Sequence, residues 1–189
     1  MVKNLIRKSL LEQGQLLSKN FIQKANIDIQ NAAIKHLDIR SSKNILLYFP
    51  YKNEVTLEII SQEFKKYKNN IFMPRIVSAN KLKFNLFKEN ATLEKNKYGI
   101  NEVKNEDYLD SASFDLMFIP FVGVDKGGYR LGYGGGYFDR SLNKISFAEK
   151  KPIIVGLGYD FQILKESFAE SHDLKYDIVI TQTRIHSYS

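Results

Sequence analysis

The sequence predicts an α/β protein: a mostly parallel sheet with helices on both faces, a Rossmann-like three-layer sandwich formed as one domain over residues 1–189. Three observations predict it. Short apolar runs recur at residues 44–50, 71–74, 115–120, 152–158 and 176–180. Runs that are apolar throughout, rather than alternating, mark strands buried on both faces, the habit of parallel sheets. Before and between them lie segments with apolar residues at helical spacing, as expected of helices covering such a sheet. No internal repeat, low-complexity tract or linker divides the chain.

Taken in order, residues 3–13 carry Leu5, Ile6, Leu10 and Leu11 among Lys, Arg and Glu, and Gly14 interrupts them. Ser18 can cap a second helix that places Phe21, Ile22, Ala25, Ile29, Ala32, Ala33 and Leu37 on one side. The strand at 44–50 is ended by Pro50, and residues 55–67 return to helical spacing through Val55, Ile59, Ile60 and Phe64. After the strand at 71–74, residues 81–87 alternate strictly and predict a half-exposed strand. Residues 88–113 read as polar and irregular, with a turn at Tyr98-Gly99. A third buried strand at 115–120 leads into a Gly-rich loop over 123–136 and a helix over 137–145. The strands at 152–158 and 176–180 follow, and then a polar tail.

Composition excludes several function classes. There is no Cys, hence no disulfide scaffold, thiolate zinc site or Cys nucleophile. Three scattered His (His36, His172, His186) do not suggest a His-built metal site, and His172 reads as a surface or structural residue. The longest apolar run, 116–124, is too short for a bilayer and contains Pro and Gly, while Lys and Arg interrupt the N-terminus at once. The expectation is a cytoplasmic protein with no membrane partner. Of 28 cationic residues, 22 are Lys, and the net charge is +7. The lysines are spread rather than clustered and no nucleic-acid motif is present, so no nucleic-acid partner is expected. A solvated surface and a positive field for a smaller anion both suit this charge. A monomer is expected, with a dimer left open.

The chemistry concentrates in the Gly-rich loop. Seven of the 11 Gly lie between residues 123 and 136, in Phe121-Val-Gly-Val-Asp-Lys-Gly-Gly-Tyr-Arg-Leu-Gly-Tyr-Gly-Gly-Gly-Tyr-Phe-Asp-Arg140. The segment follows an apolar strand and opens onto a helix, and α/β sheets bind ligands beyond the C-terminal ends of their strands. Glycines let backbone N–H groups approach an anion, and a helix N-terminus adds its dipole. Arg130 and Arg140 can add charge-assisted bonds to phosphate. Asp139 and Asp125 could each hold Mg2+ through one oxygen, with phosphate and water completing the shell. The segment is neither a P-loop nor the dinucleotide fingerprint, because no Gly-Lys-Ser/Thr follows and its glycines are differently spaced.

This loop resembles the signature of the 5-formyltetrahydrofolate cyclo-ligase family, Phe-Asp-x-x-Gly-x-Arg-Leu-Gly-x-Gly-x-Gly-Tyr-Tyr-Asp. The chain keeps Asp125, Gly128, Arg130, Leu131, Gly132, Gly134, Gly136, Tyr137 and Asp139, with Val124 for the usual Phe and Phe138 for the second Tyr. The resemblance extends along nearly the whole chain. It includes Lys3-x-x-x-Arg7, Pro50 followed by Glu54-Val55, Met73-Pro-Arg75, Tyr98-Gly-Ile-x-Glu102, and Gly156-Leu-Gly-Tyr159 with Gln162, Asp173, Asp177 and Thr181. Thr56-Leu57 and Val103 depart from the pattern.

The resemblance implies conversion of 5-formyltetrahydrofolate to 5,10-methenyltetrahydrofolate with ATP and Mg2+ as cofactors, ATP going to ADP and phosphate. The substrate could also be polyglutamylated. It implies an ATP site of Lys3, Arg7, Arg130, Leu131, Gly132, Tyr133, Gly134, Gly135, Gly136, Tyr137 and Asp139. Arg130 and Lys3 would be catalytic, and Asp139, then Asp125, would hold the metal. Folate would meet Tyr48, Phe49, Pro50, Glu54, Glu58, Tyr98 and Tyr137. Arg75 could touch either the folate tail or the nucleotide. The runner-up reading is a nucleic-acid binder that stacks bases on the loop tyrosines, which steep salt dependence would reveal.

Overall fold

The computed structural model describes residues 2–79, 81–145, 150–170 and 173–188; His172 therefore lies outside the described residues. Two helices precede the first strand, α1 (Val2–Gln15) and α2 (Lys19–His36). Gly14 is buried inside α1 rather than ending it, and its carbonyl accepts a bond from Asn53 Nδ2 at 2.8 Å. Ser18 caps α2 as expected, its Oγ accepting from the Phe21 N–H at 3.2 Å.

The chain then runs through β1 (Asn44–Leu46), α3 (Glu58–Lys66), β2 (Asn70–Ser78) and β3 (Lys81–Leu86). Short strands β4 (Leu93–Lys95), β5 (Asn101–Val103) and β6 (Tyr108–Leu109) follow. Next come β7 (Leu116–Phe118), β8 (Gly123–Val124), β9 (Arg130–Leu131) and α4 (Tyr137–Ser141). The last strands are β10 (Ile153–Leu157), β11 (Ile178–Ile180) and β12 (Ile185–Ser187).

Among the described residues the main sheet has eight strands in the order β12-β11-β10-β7-β1-β2-β3-β6. The five from β11 to β2 are parallel, and β12, β3 and β6 pair antiparallel at the edges. The apolar runs explain this layout. Ile45, Leu47, Leu116, Phe118, Val155 and Leu157 face a core shared with α2 and α3. Their neighbours Leu46, Met117, Ile119 and Ile154 face a second core containing Leu142 and Ile145, beside Phe138 of α4. Both faces are thus buried, which is why the strands are apolar throughout.

Three expectations need correction. Residues 88–113 are not irregular: β4 and β5 form a hairpin, and β6 adds to the sheet edge. The polar tail holds β12, paired to β11 through Ile180↔Ile185. The helix after the Gly-rich loop ends at Ser141, not at residue 145. Elsewhere β2 continues through Pro74, because pairing with β1 ends at Phe72 and the missing N–H costs no bond on that side.

The chain order places a ligand crevice. From β1 the chain crosses to β2 on one side, whereas β7 starts the series that proceeds to β10 and β11 on the other. The segments leaving the C-terminal ends of β1 and β7 therefore diverge, and such a switch point is where open α/β sheets bind ligands. No helix among the described residues is long and apolar enough to cross a membrane.

Candidate functional site

One wall is built by the segment leaving β1. Tyr48 is buried and its hydroxyl donates to the Val55 carbonyl at 2.8 Å, closing the segment on itself. A tight turn follows, in which the Glu54 N–H donates to the Tyr51 carbonyl at 3.2 Å and the Tyr51 N–H donates to Glu54 Oε2 at 2.7 Å. Lys52, in this turn, has φ 55°. Two buried amides of α2 hold the rest of the segment. Asn26 Oδ1 accepts from the Thr56 N–H at 2.6 Å, and Gln30 Oε1 accepts from the Ile59 and Ile60 N–H groups at 2.9 and 3.3 Å. Gln30 thus satisfies orphan donors at the start of α3, where no side chain of α3's own cap does so.

The facing wall is the Gly-rich loop, which begins as the β8–β9 hairpin. Asp125 sits fully buried at its turn. Its Oδ1 accepts from the Gly127 and Tyr129 N–H groups at 2.8 and 3.0 Å. Its Oδ2 accepts from Ser167 Oγ and the Phe168 N–H at 3.1 and 3.2 Å. Burial alone would raise its pKa, but these bonds outweigh burial and lower it. With both oxygens engaged, Asp125 holds the turn and is not placed to bind a metal.

Arg130 extends from β9 under the loop. Its Nε donates to the Pro120 carbonyl at 2.7 Å and its Nη1 to Asp139 Oδ2 at 2.9 Å. The guanidinium fills the space that a side chain at position 132 would need: a Cβ on Gly132 would lie 2.6 Å from Nη1. Arg7 comes from α1 and donates through Nε to the Gly132 carbonyl at 2.7 Å. Gly134, at φ 99°, presents backbone to that same guanidinium. Burial, and then the positive charge of Arg130, lower the Arg7 pKa. Two cations held this close are an arrangement that an anion relieves.

Between these walls lie two adjoining cavities. The first, of about 290 Å³, is mostly aromatic and apolar, with Tyr48, Phe49, Pro74, Ile76, Tyr98 and Phe138 among its lining. Arg130, Gly132, Gly135, Gly136 and Tyr137 close it on the loop side. The second, of about 400 Å³, lies between α1 and the ends of β7 and β10, against Leu11, Gly14, Val122, Tyr159 and Gln162. Lys52, Glu54 and Tyr133 line both. The β4–β5 hairpin covers the first cavity. Glu102 Oε1 accepts from the Ile76 N–H at 2.9 Å, and the Tyr98 and Tyr137 hydroxyls are 3.2 Å apart. Burial pushes the Glu54 carboxyl up to about 8, against the Tyr51 N–H bond and the charge of Arg130, which favour ionisation.

The structure brings together Tyr48, Phe49, Glu54, Tyr98, Arg130, Gly132, Tyr133, Gly135, Gly136 and Tyr137. Other expected residues stand apart. Pro50 and Glu58 are exposed and line neither cavity; Glu58 lies in the first turn of α3, which carries it away from the crevice. Leu131 is buried in a small cluster with Leu10 and Val122 that seats α1 on the loop. Lys3 binds Asp173 at 2.6 Å and Glu170 at 3.2 Å instead of lining a cavity. Burial opposes its charge, and these two carboxylates outweigh burial, so its pKa is raised. Arg75 points across β2 from Pro74 and Ile76, to the Asn105 carbonyl at 3.0 Å and Glu106, so it touches neither cavity. Asp177 Oδ2 accepts from the Ile154 N–H at 2.7 Å.

The sequence reading missed Lys52, Pro74, Ile76, Ile100 and Glu102 as lining residues. It also missed how the segment around Asp173 reaches the loop: the Leu174 N–H lies 3.4 Å from Asp139 Oδ1. The period-two pattern of β2 could have paired Pro74 with Ile76.

The model of the 5-formyltetrahydrofolate cyclo-ligase family matches residues 1–182. The chain belongs to this family. Among similar cyclo-ligases, that of Mycoplasma pneumoniae is 32% identical over 185 residues, covering 95% of this chain and 98% of the relative. That of Haemophilus influenzae is 30% identical over 161 residues, covering 82% and 85%. Among solved structures, the Aquifex aeolicus 5,10-methenyltetrahydrofolate synthetase superposes with a TM-score of 0.84 at 26% identity, covering 99% of this chain and 93% of the other. The Mycoplasma pneumoniae synthetase gives 0.78 at 27% identity, covering 96% and 99%. The cyclo-ligase fold is therefore shared along the chain.

Proposed function

We propose that this chain performs the ATP-dependent conversion of 5-formyltetrahydrofolate to 5,10-methenyltetrahydrofolate, with ADP and phosphate as the other products. The observation that carries the reading is the pair of cavities with a shared wall, next to a Gly-rich loop that holds two guanidinium groups. A reaction that moves a phosphoryl group between two organic ligands needs this adjacency.

A formyl amide is a poor electrophile, because resonance keeps it planar and electron-rich. Transfer of the γ-phosphoryl group to the formyl oxygen turns that oxygen into a leaving group. N10 of the same folate then bonds to the formyl carbon and loses its proton. The C–O bond breaks, phosphate departs with the former formyl oxygen, and the bridging carbon is left as the conjugated methenyl group. The protein's tasks are to align the two ligands and to neutralise charge. Arg130 and Arg7 supply charge beside the loop, and the loop's N–H groups supply donors. The aromatic walls and the Glu54 carboxyl suit a flat heterocycle with an amide edge. The net charge of +7 favours capture of an anionic folate tail.

Magnesium fits one of the two aspartates singled out. Asp139 Oδ2 is held by Arg130 at 2.9 Å, while Oδ1 accepts a long bond from the Leu174 N–H at 3.4 Å. Asp139 could therefore offer Oδ1 to the metal of a bound MgATP, and the metal would neutralise phosphate charge there. The test is spectroscopic: purified protein with 5-formyltetrahydrofolate, ATP and Mg2+ should develop the methenyl absorbance, and mixtures lacking ATP should not. No absorbance from well-folded protein in the full mixture would overturn the reading.

A further inference from the structure

The observation with no role so far is Lys52. The structure has two non-glycine residues at positive φ among those described, Lys52 at 55° and Lys68 at 57°. Lys68 has a local reason. It follows α3, where the Lys68 and Asn69 N–H groups return to the Lys65 and Phe64 carbonyls at 3.1 and 3.3 Å, an ordinary left-handed helix ending. Lys52 has none of this kind. It is the second residue of the Tyr51–Glu54 turn, and only this one of the two central residues has positive φ. That turn position favours glycine. A lysine held there against its preference points to a function for its side chain.

Where the side chain goes supports this. The ammonium stands 5.1 Å from the ring centre of Tyr51 and 5.8 Å from that of Tyr133. The two rings meet edge to face at 5.3 Å, so the lysine is oriented between one aromatic from each wall of the crevice. Lys52 is among the three residues lining both cavities, and of those it is the cation. No carboxylate lies within ion-pairing distance of it among the described residues. Arg130, by contrast, is tied to Asp139 and Pro120, and Lys3 to two carboxylates.

We propose that Lys52 is a charge-neutralising residue that contacts the phosphoryl group as it passes between the ligands of the two cavities. This rests on the phosphoryl-transfer reading above. If one ligand occupies each cavity, the reacting atoms meet at the shared wall, where Lys52 is the cation not already committed to a carboxylate. A compact ammonium on a flexible stem can follow a moving group better than a guanidinium fixed by two bonds.

The test compares wild type with Lys52→Asn and Lys52→Arg in the chromophore assay. Asparagine tolerates positive φ, so Lys52→Asn should melt no lower than wild type. Its kcat should fall on the order of 100-fold, while KM for ATP and for folate change by less than about threefold, since the lost contact acts mainly in the transition state. Lys52→Arg should recover much of kcat. Equal kcat for Lys52→Asn, or a rise confined to folate KM, would overturn the assignment, the latter by making Lys52 a partner of the folate tail. No turnover from wild type would instead remove the reading on which it rests.

Discussion

Arg130 and Asp139 join the two ends of the Gly-rich loop through an Nη1–Oδ2 contact of 2.9 Å, with 6% and 15% of their side chains exposed. The loop is thereby a closed ring: β9 at one end, α4 at the other, and a buried ion pair as the clasp. Such a pair is costly to halve, because the remaining charge stays buried, at about 3–5 kcal/mol. Arg130→Ala should therefore lose both activity and stability. Arg130→Lys is the more telling variant. It keeps the charge but cannot bond Pro120 and Asp139 through one planar fork. The expected result is a folded protein with kcat lowered about 100-fold, read by the methenyl absorbance beside a thermal melt. Unchanged turnover in Arg130→Lys would reduce Arg130 to a structural clasp.

Glu54 sets a pH dependence. Its carboxyl is pushed up to about 8, foremost by burial, from the ordinary 4.5. The folded state then holds a proton that the unfolded state has released between those values. Stability contributed by the neutral carboxyl is present below about 4.5 and is lost as pH rises through about 8. The loss is bounded by about 5 kcal/mol and is smaller where water reaches the group. Glu54→Gln should flatten the melting temperature over that interval. A wild-type slope that survives in Glu54→Gln would assign the effect to another group.

Legibility in the sequence followed the type of constraint. The five parallel strands were readable because Ile45–Leu47, Leu116–Ile119 and Val155–Leu157 must be apolar on both faces. The loop was readable because glycine suits position 132, whose side-chain space the Arg130 guanidinium fills, and positions 134 and 136, which have positive φ. By contrast β4, β5 and β12 are short and, Val103 apart, half-exposed or exposed, so their pairing leaves little pattern. Asp125 stood second to Asp139 as a metal ligand, and only the fold shows the four donors that surround it. Glu58 looked close to Glu54, but the intervening turn into α3 separates them. Lys52 carried no motif, because its significance lies in a backbone angle and in two rings from distant parts of the chain.

The amides of α2 yield a stability prediction with a functional consequence. Gln30 is 2% exposed and caps α3 from another helix. Truncation to Ala strands the Ile59 and Ile60 N–H groups in a site water reaches poorly, at about 2 kcal/mol. Gln30→Ala should lower the melting temperature by several degrees. It should also raise folate KM and lower kcat together, since it loosens the segment that carries both Glu54 and Lys52. A melt unchanged from wild type would show that the cap is replaced by another acceptor or by solvent.

The hairpin gives the last prediction. Tyr98 sits at the turn of the β4–β5 unit and reaches the loop through Tyr137, with hydroxyls 3.2 Å apart and rings 6.2 Å apart at 84°. Lys97 approaches both rings, and hydrogen bonding, first from Tyr98 and then from Lys97, lowers the Tyr137 pKa. Tyr98 therefore has two separable contributions, a ring that walls the first cavity and a hydroxyl that latches the hairpin to the loop. Tyr98→Phe removes the latch alone. An exposed hydrogen bond of this kind is worth about 1 kcal/mol or less, so folate KM should rise no more than about fivefold. Tyr98→Ala also removes the wall, and the loss of a ring–ligand contact should raise KM by about tenfold or more. Equal effects of the two variants would mean that the hydroxyl, not the ring, is what the substrate requires of Tyr98. No effect of either would place the substrate elsewhere in the crevice.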